Sequence, residues 1–212
     1  MMTLHPRIAR PALAACAILS LPACAGTYTG PVEVTRFVAE NPAKLGQGTI
    51  TLVFPEEITN ATARNAFAGA VADELSRLGY ELVMDERAAQ STAAIRTSRE
   101  PIAQAQGRQG PVSVGVGGGT GTYGSGVGVG VGINLGGGRE GANVVTELSV
   151  RIRDSASVTL WEGRAQQPVS VESDYADIEI SAATLAAALF RDFPGGNGET
   201  VTLDVEDLQE QP

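Results

Sequence analysis

The chain of 212 residues is poor in the side chains on which most enzyme active sites depend. It has one histidine, His5, two cysteines, Cys16 and Cys24, and one lysine, Lys44. His5 and Cys16 lie in a predicted leader, so we expect no histidine in the folded protein. Catalysis of the Ser-His type and zinc sites built on imidazoles are therefore excluded. We predict a protein that is not an enzyme and that carries no cofactor or metal.

Aromatic residues and basic charge are also scarce. Only 5% of the residues are aromatic, against 43% hydrophobic, so the core must be largely aliphatic. The formal charge is −9, and no segment of the sequence supplies a cluster of basic residues. Nucleic acid is therefore not expected as a partner, because binding to phosphates needs a clustered basic surface. The segment Gly119–Gly124 matches GxGxxG, but predicted strands flank it on both sides. A dinucleotide site needs a helix after this motif, so we predict no nucleotide.

The first 23 residues have the features of a secretory leader. The apolar run Ala12–Leu21 would span about 15 Å as a helix, half of the roughly 30 Å of a bilayer core. It ends in Leu21-Pro22-Ala23-Cys24, which resembles the bacterial lipobox. The resemblance implies cleavage between Ala23 and Cys24, a diacylglyceryl thioether on the Cys24 sulfur and an acylated amine. The alternative is an ordinary leader that is cut nearby and leaves Cys24 free.

Lipidation of Cys24 predicts a protein that is tethered to a membrane by its acyl chains. It also consumes the last thiol, so no disulfide forms within the chain. Loss of Arg7 and Arg10 with the leader takes the formal charge from −9 to −11. Ala25, rather than an aspartate, follows the cysteine, and similarity to sorted lipoproteins then indicates the periplasmic side of the outer membrane.

Valine and glycine alternate through residues 111–136, on both sides of the glycine-crowded segment Gly117–Gly126. A period of two is typical of strands, so we predict a β-hairpin with one apolar face and one face of nearly bare backbone. Glycines within strands are costly unless another surface approaches closely. We therefore predict an interaction surface for an envelope protein or a second copy, formed by Val114, Val116, Tyr123, Val129 and Val131.

The remaining patterns predict two helices and several strands. A βαβ unit is expected from a strand Thr49–Phe54, a helix from Asn60 or Thr62 to Leu78, and a strand Tyr80–Met84. Further expected elements are a half-buried strand around Val32–Thr35 near the edge of the domain, a weaker strand Ala93–Arg99, a hairpin of 144–153 with 158–165, a helix Ser181–Asp192 capped by Ser181, and a strand Thr200–Val205.

These elements predict the α+β class, with one small mixed or antiparallel sheet, two helices and the Gly/Val-rich hairpin. The expected organisation is a signal peptide (1–23), a lipidated tether and first strand (24–47), the α+β domain (48–205) and an acidic tail (206–212).

Several sequence blocks together resemble the bacterial lipoproteins grouped as domain-of-unknown-function family 4136. These blocks are the lipobox, VEVTRF, LSRLGYELV, PVSVGVGGGTGTYGSGVGVGVG, VVTELSVRIR, LWEGRA and ALFRDFPG. The resemblance covers nearly all of residues 1–205. It implies an envelope lipoprotein with a compact α+β domain, and it carries over no activity and no catalytic residues.

Two other functions remain open. An oligomeric outer-membrane pore or secretion component could use the hairpin, because its second arm, 127–135, approaches the length of a membrane strand. A hydrolase could use a carboxylate pair, either Glu147 with Glu162 or Asp174 with Asp177. The acidic segment 172–179 fits no calcium-loop spacing, so solvated charge is its expected role.

Overall fold

The computed structural model describes residues 27–40, 45–55, 58, 60–102 and 144–209. Three sequence predictions lie outside these residues: the leader with Ala23 and Cys24, the hairpin 111–136, and residues 210–212 of the tail. The five residues of the predicted interaction surface fall in the second group: Val114, Val116, Tyr123, Val129 and Val131.

The described residues form one mixed sheet of seven strands with three α-helices. The strands are β1 (Val32–Val38), β2 (Thr49–Val53), β3 (Glu81–Leu82), β4 (Ser91–Pro101), β5 (Val144–Asp154), β6 (Thr159–Val169) and β7 (Thr200–Leu203). The helices are α1 (Ala61–Arg77), α2 (Ile178–Phe190) and α3 (Val205–Gln209). The α+β class is confirmed, but the sheet is larger than the small one predicted and a third helix is present.

The strand order is β3-β2-β4-β5-β6-β1-β7. β2 pairs in parallel with β3 and with β4, as expected for strands joined by a helical crossover, and the other pairs are antiparallel. β4 and β5 pair over their full lengths, from Ser91↔Asp154 to Pro101↔Val144. The predicted hairpin of β5 and β6 is confirmed, with a register shift at Ile152/Arg153.

The core lies between one face of the sheet and the helices α1 and α2. Val34, Val150, Ile152 and other side chains of this face are fully buried against the helical stripe of α1 and the apolar face of α2. Trp161, also fully buried, stacks on Phe190 with ring centroids 5.3 Å apart. Its indole N–H donates to the Pro194 carbonyl at 2.9 Å, so the polar atom of the largest core side chain is satisfied.

Several predicted boundaries are wrong. The strand predicted at Tyr80–Met84 is reduced to Glu81–Leu82. Val205, the end of the predicted last strand, and residues 206–209 of the predicted tail form α3. β1 lies near one edge of the sheet, as predicted, and β7 pairs with it through Val32↔Leu203 to form the edge itself.

The second helix begins at Ile178 rather than at Ser181. Its N-cap is Asp177, whose carboxylate accepts from the N–H groups of Glu179 and Ile180. Ser181 lies inside the helix and is 2% exposed. Polar and apolar residues alternate through Asp-Ile-Glu-Ile at 177–180, and such alternation is typical of a strand. The start of α2 is therefore not evident from the sequence.

Candidate interaction surface on the outer face of the sheet

The face of the sheet that points away from α1 and α2 carries most of its charge. We call this the outer face and define it by Arg96, Arg151, Arg153, Arg164, Glu147 and Glu162. Side chains alternate between the faces of a strand, so the buried residues of β4, β5 and β6 set these charges on the opposite side. No helix of the described residues packs over them.

The strand register brings opposite charges together. Arg151 is the direct cross-strand neighbour of Glu162, and its guanidinium donates two hydrogen bonds of 2.8 Å to the two carboxylate oxygens. Arg164 reaches diagonally to Glu147 at 3.4 Å. Both pairs join a residue of β5 to a residue of β6.

The Arg151–Glu162 pair is half-buried, with side-chain exposures of 28% and 34%. The hydrogen bonds from Arg151 hold the pKa of Glu162 below its usual value, against the opposing effect of burial; the nearby charges of Arg151, Arg164 and Arg96 lower it further. The hydrogen bond with Glu162 in turn raises the pKa of Arg151. The pair is therefore ionised throughout the neutral range.

This geometry is unfavourable for the predicted pair of catalytic carboxylates. A general acid at neutral pH needs a raised pKa, whereas the pKa of Glu162 is lowered. Glu147 is held by Arg164. The second candidate pair has structural roles nearby: Asp177 caps α2, and Asp174 begins a turn of 3₁₀-helix capped by Ser173.

The described residues contain no cluster of three or more His, Cys, Asp or Glu side chains that could hold a metal ion. They also contain no helix that is both long and apolar enough to cross a membrane.

The point where the chain enters the fold is tied closely to the sheet. Gly30 N–H donates to the Pro168 carbonyl at 2.9 Å, and Ser170 N–H donates to the Tyr28 carbonyl at 2.9 Å. Thr29 forms an isolated bridge with Val169, and its hydroxyl lies 2.7 Å from the hydroxyl of Ser173. Among the described residues, contacts of the entering chain with the sheet begin at Tyr28, four residues after Cys24.

Four strand positions are in line at this end. Thr29 bridges Val169, Val169 pairs with Val144, and Val144 pairs with Pro101. With about 4.8 Å between strands, Thr29 and Pro101 are roughly 14 Å apart. We call this the Thr29 end of the sheet; the opposite one, where Ser91 pairs with Asp154, is the Asp154 end. β4 therefore ends, and β5 begins, at the Thr29 end.

Arg96 was not among the residues singled out from the sequence, because the strand that carries it, predicted at Ala93–Arg99, was a weaker prediction than the others. Nor was Arg36, which is 5% exposed and hydrogen-bonds to carbonyls of α2. Only its position in VEVTRFV, in step with the buried Val32 and Val34, signals that this arginine points inward.

The sequence matches no protein-family model and no curated protein. A PDZ domain protein from Parabacteroides distasonis has a similar structure, with 13% identity and a TM-score of 0.51. That match covers 82% of this chain but 39% of the other protein, so this chain spans well under half of its length. The PelC dodecamer from Paraburkholderia phytofirmans aligns with a TM-score of 0.39 and 10% identity, over 74% of this chain and 93% of that one. The first similarity concerns the α+β fold alone, and the second supports no inference.

Proposed function

We propose that the protein is a lipid-anchored envelope protein on the periplasmic side of the outer membrane, and that its domain is a non-enzymatic binding module. The observation that carries the proposal is the lipobox Leu21–Cys24, which ends four residues before Tyr28, where the contacts of the described residues with the sheet begin. We also propose kinship with family 4136, on the sequence blocks given above.

The short tether orients the domain. Four residues span at most about 14 Å when fully extended. A lipid on Cys24 therefore keeps Tyr28 within that distance of the bilayer surface, and the Thr29 end faces the membrane. Strands of 11 residues are about 35 Å long, so the Asp154 end projects well into the periplasm.

The acyl chains must supply the membrane affinity on their own. The processed chain has a formal charge of −11, and an acidic protein gains no attraction from anionic headgroups. Buried acyl carbon contributes about 0.8 kcal/mol per CH₂, so two or more chains anchor stably. Loss of the lipid should release the protein completely.

The same orientation supports a membrane-proximal role for the Gly/Val-rich segment. The described residues nearest to it in sequence, Ile102 and Val144, both belong to the Thr29 end. We therefore propose that the interaction surface predicted from the sequence, which includes Tyr123, binds an envelope protein or a second copy. The outer face, with its arginines and glutamates, stands roughly perpendicular to the bilayer.

Replacement of Cys24 by alanine tests the anchor. We expect the variant in the soluble periplasmic fraction and the wild-type protein in the membrane pellet, with acyl chains visible in an intact-mass spectrum. Cys16→Ala is the matched control, because Cys16 is removed with the leader. Membrane retention of Cys24→Ala, or a wild-type mass with a free thiol, would contradict the proposal.

The orientation can be tested separately in proteoliposomes. A fluorophore is placed on Val171→Cys, at the Thr29 end, or on Met84→Cys, near the Asp154 end; both residues are exposed, by 53% and 102%. Quenchers attached to lipid headgroups should quench the first label strongly and the second weakly. Equal quenching at the two sites would refute the orientation and leave the anchor itself untouched.

A pore is the second candidate, because the described residues on either side of 103–143 belong to the Thr29 end, which the tether would hold near the bilayer. The test is conductance of detergent-purified protein in planar bilayers. A silent, monomeric sample removes this candidate.

A further inference from the structure

A cavity of about 230 Å³ lies between the first turns of α1 and α2 and the strands β4 and β5. It is at the Thr29 end of the sheet, away from the outer face. Its walls are partly apolar, from Ile58, Ala63, Phe67 and Ile178, and partly polar, from Asn60, Thr97, Ser98, Arg99, Thr146 and Ser181. Drug-sized ligands occupy about 300–1,000 Å³, so this volume suits a smaller molecule.

Two buried hydroxyl groups in the cavity wall have no partner. Thr146 is 4% exposed and Ser181 is 2% exposed, and within the described part of the chain neither hydroxyl oxygen makes a hydrogen bond. Buried polar groups in folded proteins are nearly always hydrogen-bonded, because an unsatisfied one is costly. Two such groups on one cavity indicate that something which fills the cavity hydrogen-bonds to them.

The charge around the cavity favours an anion. Arg99 lines it and donates one hydrogen bond, to the Ala176 carbonyl at 2.7 Å. Arg99 takes part in none of the ion pairs between described residues. The positive ends of the α1 and α2 dipoles also point toward the cavity, since Asn60 caps α1 and Ile178 begins α2.

We propose that this cavity binds a small monocarboxylate with a short apolar tail. Ile58, Phe67 and Ile178 contact the tail, and the hydroxyls of Thr146 and Ser181 donate to the carboxylate. Arg99 balances its charge. Each molecule of liquid water takes about 30 Å³, so the cavity corresponds to roughly eight non-hydrogen atoms, the size of hexanoate. Nothing in this proposal depends on the lipid anchor.

Hexanoate is therefore the probe. The full chain carrying Cys24→Ala, with methyl-labelled isoleucine, is titrated without detergent so that no acyl chain competes for the cavity. We expect saturable shifts of the Ile58 and Ile178 methyl signals. Because charge-assisted hydrogen bonds are the strong ones, 1-hexanol should bind at least about tenfold more weakly.

Variants then separate the binding groups from the scaffold. Arg99→Gln and the double variant Thr146→Val/Ser181→Ala should each weaken hexanoate binding by about tenfold. In the double variant, loss of the two hydroxyls should leave the Tm of the ligand-free protein unchanged or raise it, because neither hydroxyl has a partner among the described residues. If the hydroxyls instead stabilised the fold, their loss would lower the Tm. Arg87→Gln, an exposed arginine at the Asp154 end, and Ser170→Ala, a buried unpartnered hydroxyl outside the cavity, are the controls and should bind like the wild type.

Four results would overturn the proposal. They are the absence of saturation by 50 mM hexanoate (roughly a 2 kcal/mol limit on affinity), equal binding of hexanol and hexanoate, wild-type affinity in the hydroxyl double variant, and binding of inorganic phosphate in place of hexanoate.

Discussion

Replacement of Arg36 by methionine should destabilise the domain more than any other single arginine substitution discussed above, because Arg36 completes the C-terminus of α2. The last four carbonyl groups of a helix have no partner within it. Those of Ala187 and Phe190 accept from the backbone N–H groups of Arg191 and Phe193. Those of Ala188 and Leu189 accept from the Arg36 guanidinium, at 2.8 and 2.9 Å.

The magnitude follows from these two bonds. Methionine fills similar space but donates nothing, so two buried carbonyls lose their partners at about 1–3 kcal/mol each. The positive charge at the negative end of the α2 dipole is also lost. Burial lowers the pKa of Arg36, with partial compensation from Asp192, so relief of this desolvation returns part of the cost. We expect a net loss of about 2–5 kcal/mol, or roughly 6–15 °C in Tm for a domain of this size.

The assay is thermal unfolding followed by the fluorescence of Trp161, which packs against α2 and is the only tryptophan. Arg64→Met is the matched control. The exposed Arg64 guanidinium lies 5.0 Å from the centre of the partly buried Phe54 ring, a contact worth about 0.5–1 kcal/mol. A Tm for Arg36→Met within about 2 °C of the wild type would refute the capping account.

Two further outcomes are expected. In a double-mutant cycle of Arg151→Ala and Glu162→Gln, the half-exposed pair should contribute about 0.5–1 kcal/mol at pH 7. Because the folded-state pKa of Glu162 is lowered, this contribution is fully present above the unfolded pKa of about 4.3 and disappears as the pH falls through the folded value; a coupling unchanged at pH 2 would contradict it. Gly163→Ala should lower the free energy of unfolding by about 1–3 kcal/mol, because the added Cβ would lie 2.7 Å from Cδ1 of Leu189. Gly69→Ala should stabilise α1 by up to about 1 kcal/mol, because the Cβ added there would have nothing within 4 Å. Equal Tm values for the two alanine variants would contradict this reading.

The sequence predicted correctly the helix and the hairpin that are marked by cap residues or by regular alternation along the chain. α1 begins and ends within a residue or two of its predicted bounds, because Asn60 is a good N-cap and Gly79 follows the last turn at φ 100°. The hairpin of β5 and β6 was visible from period-two alternation on both sides of the turn at Asp154. The same alternation puts Arg151 and Arg164 on one face with the two glutamates, but the register that pairs Arg151 with Glu162 and sets Arg164 diagonal to Glu147 comes from the structure.

The rest depends on contacts that no local pattern contains. The internal position of β1 results from its pairing with β7, almost 170 residues later in the chain. The alternation in β1 indicates that Arg36 points inward, but the carbonyl groups that it binds depend on where α2 ends. The cavity depends on how closely two helix N-termini approach two strands. Ser181 illustrates the limit: its position suggested a helix cap, whereas the structure puts its hydroxyl in a cavity wall.

The pairing of β4 with β5 runs without interruption to its last rung, Pro101↔Val144, before the glycine-rich stretch begins. The register of the two strands is set by the residue pairs from Ser91↔Asp154 to Pro101↔Val144. We therefore expect the described scaffold to tolerate changes in the sequence that joins β4 to β5. Exchange of one connecting sequence for another could change what the protein recognises while the scaffold is kept.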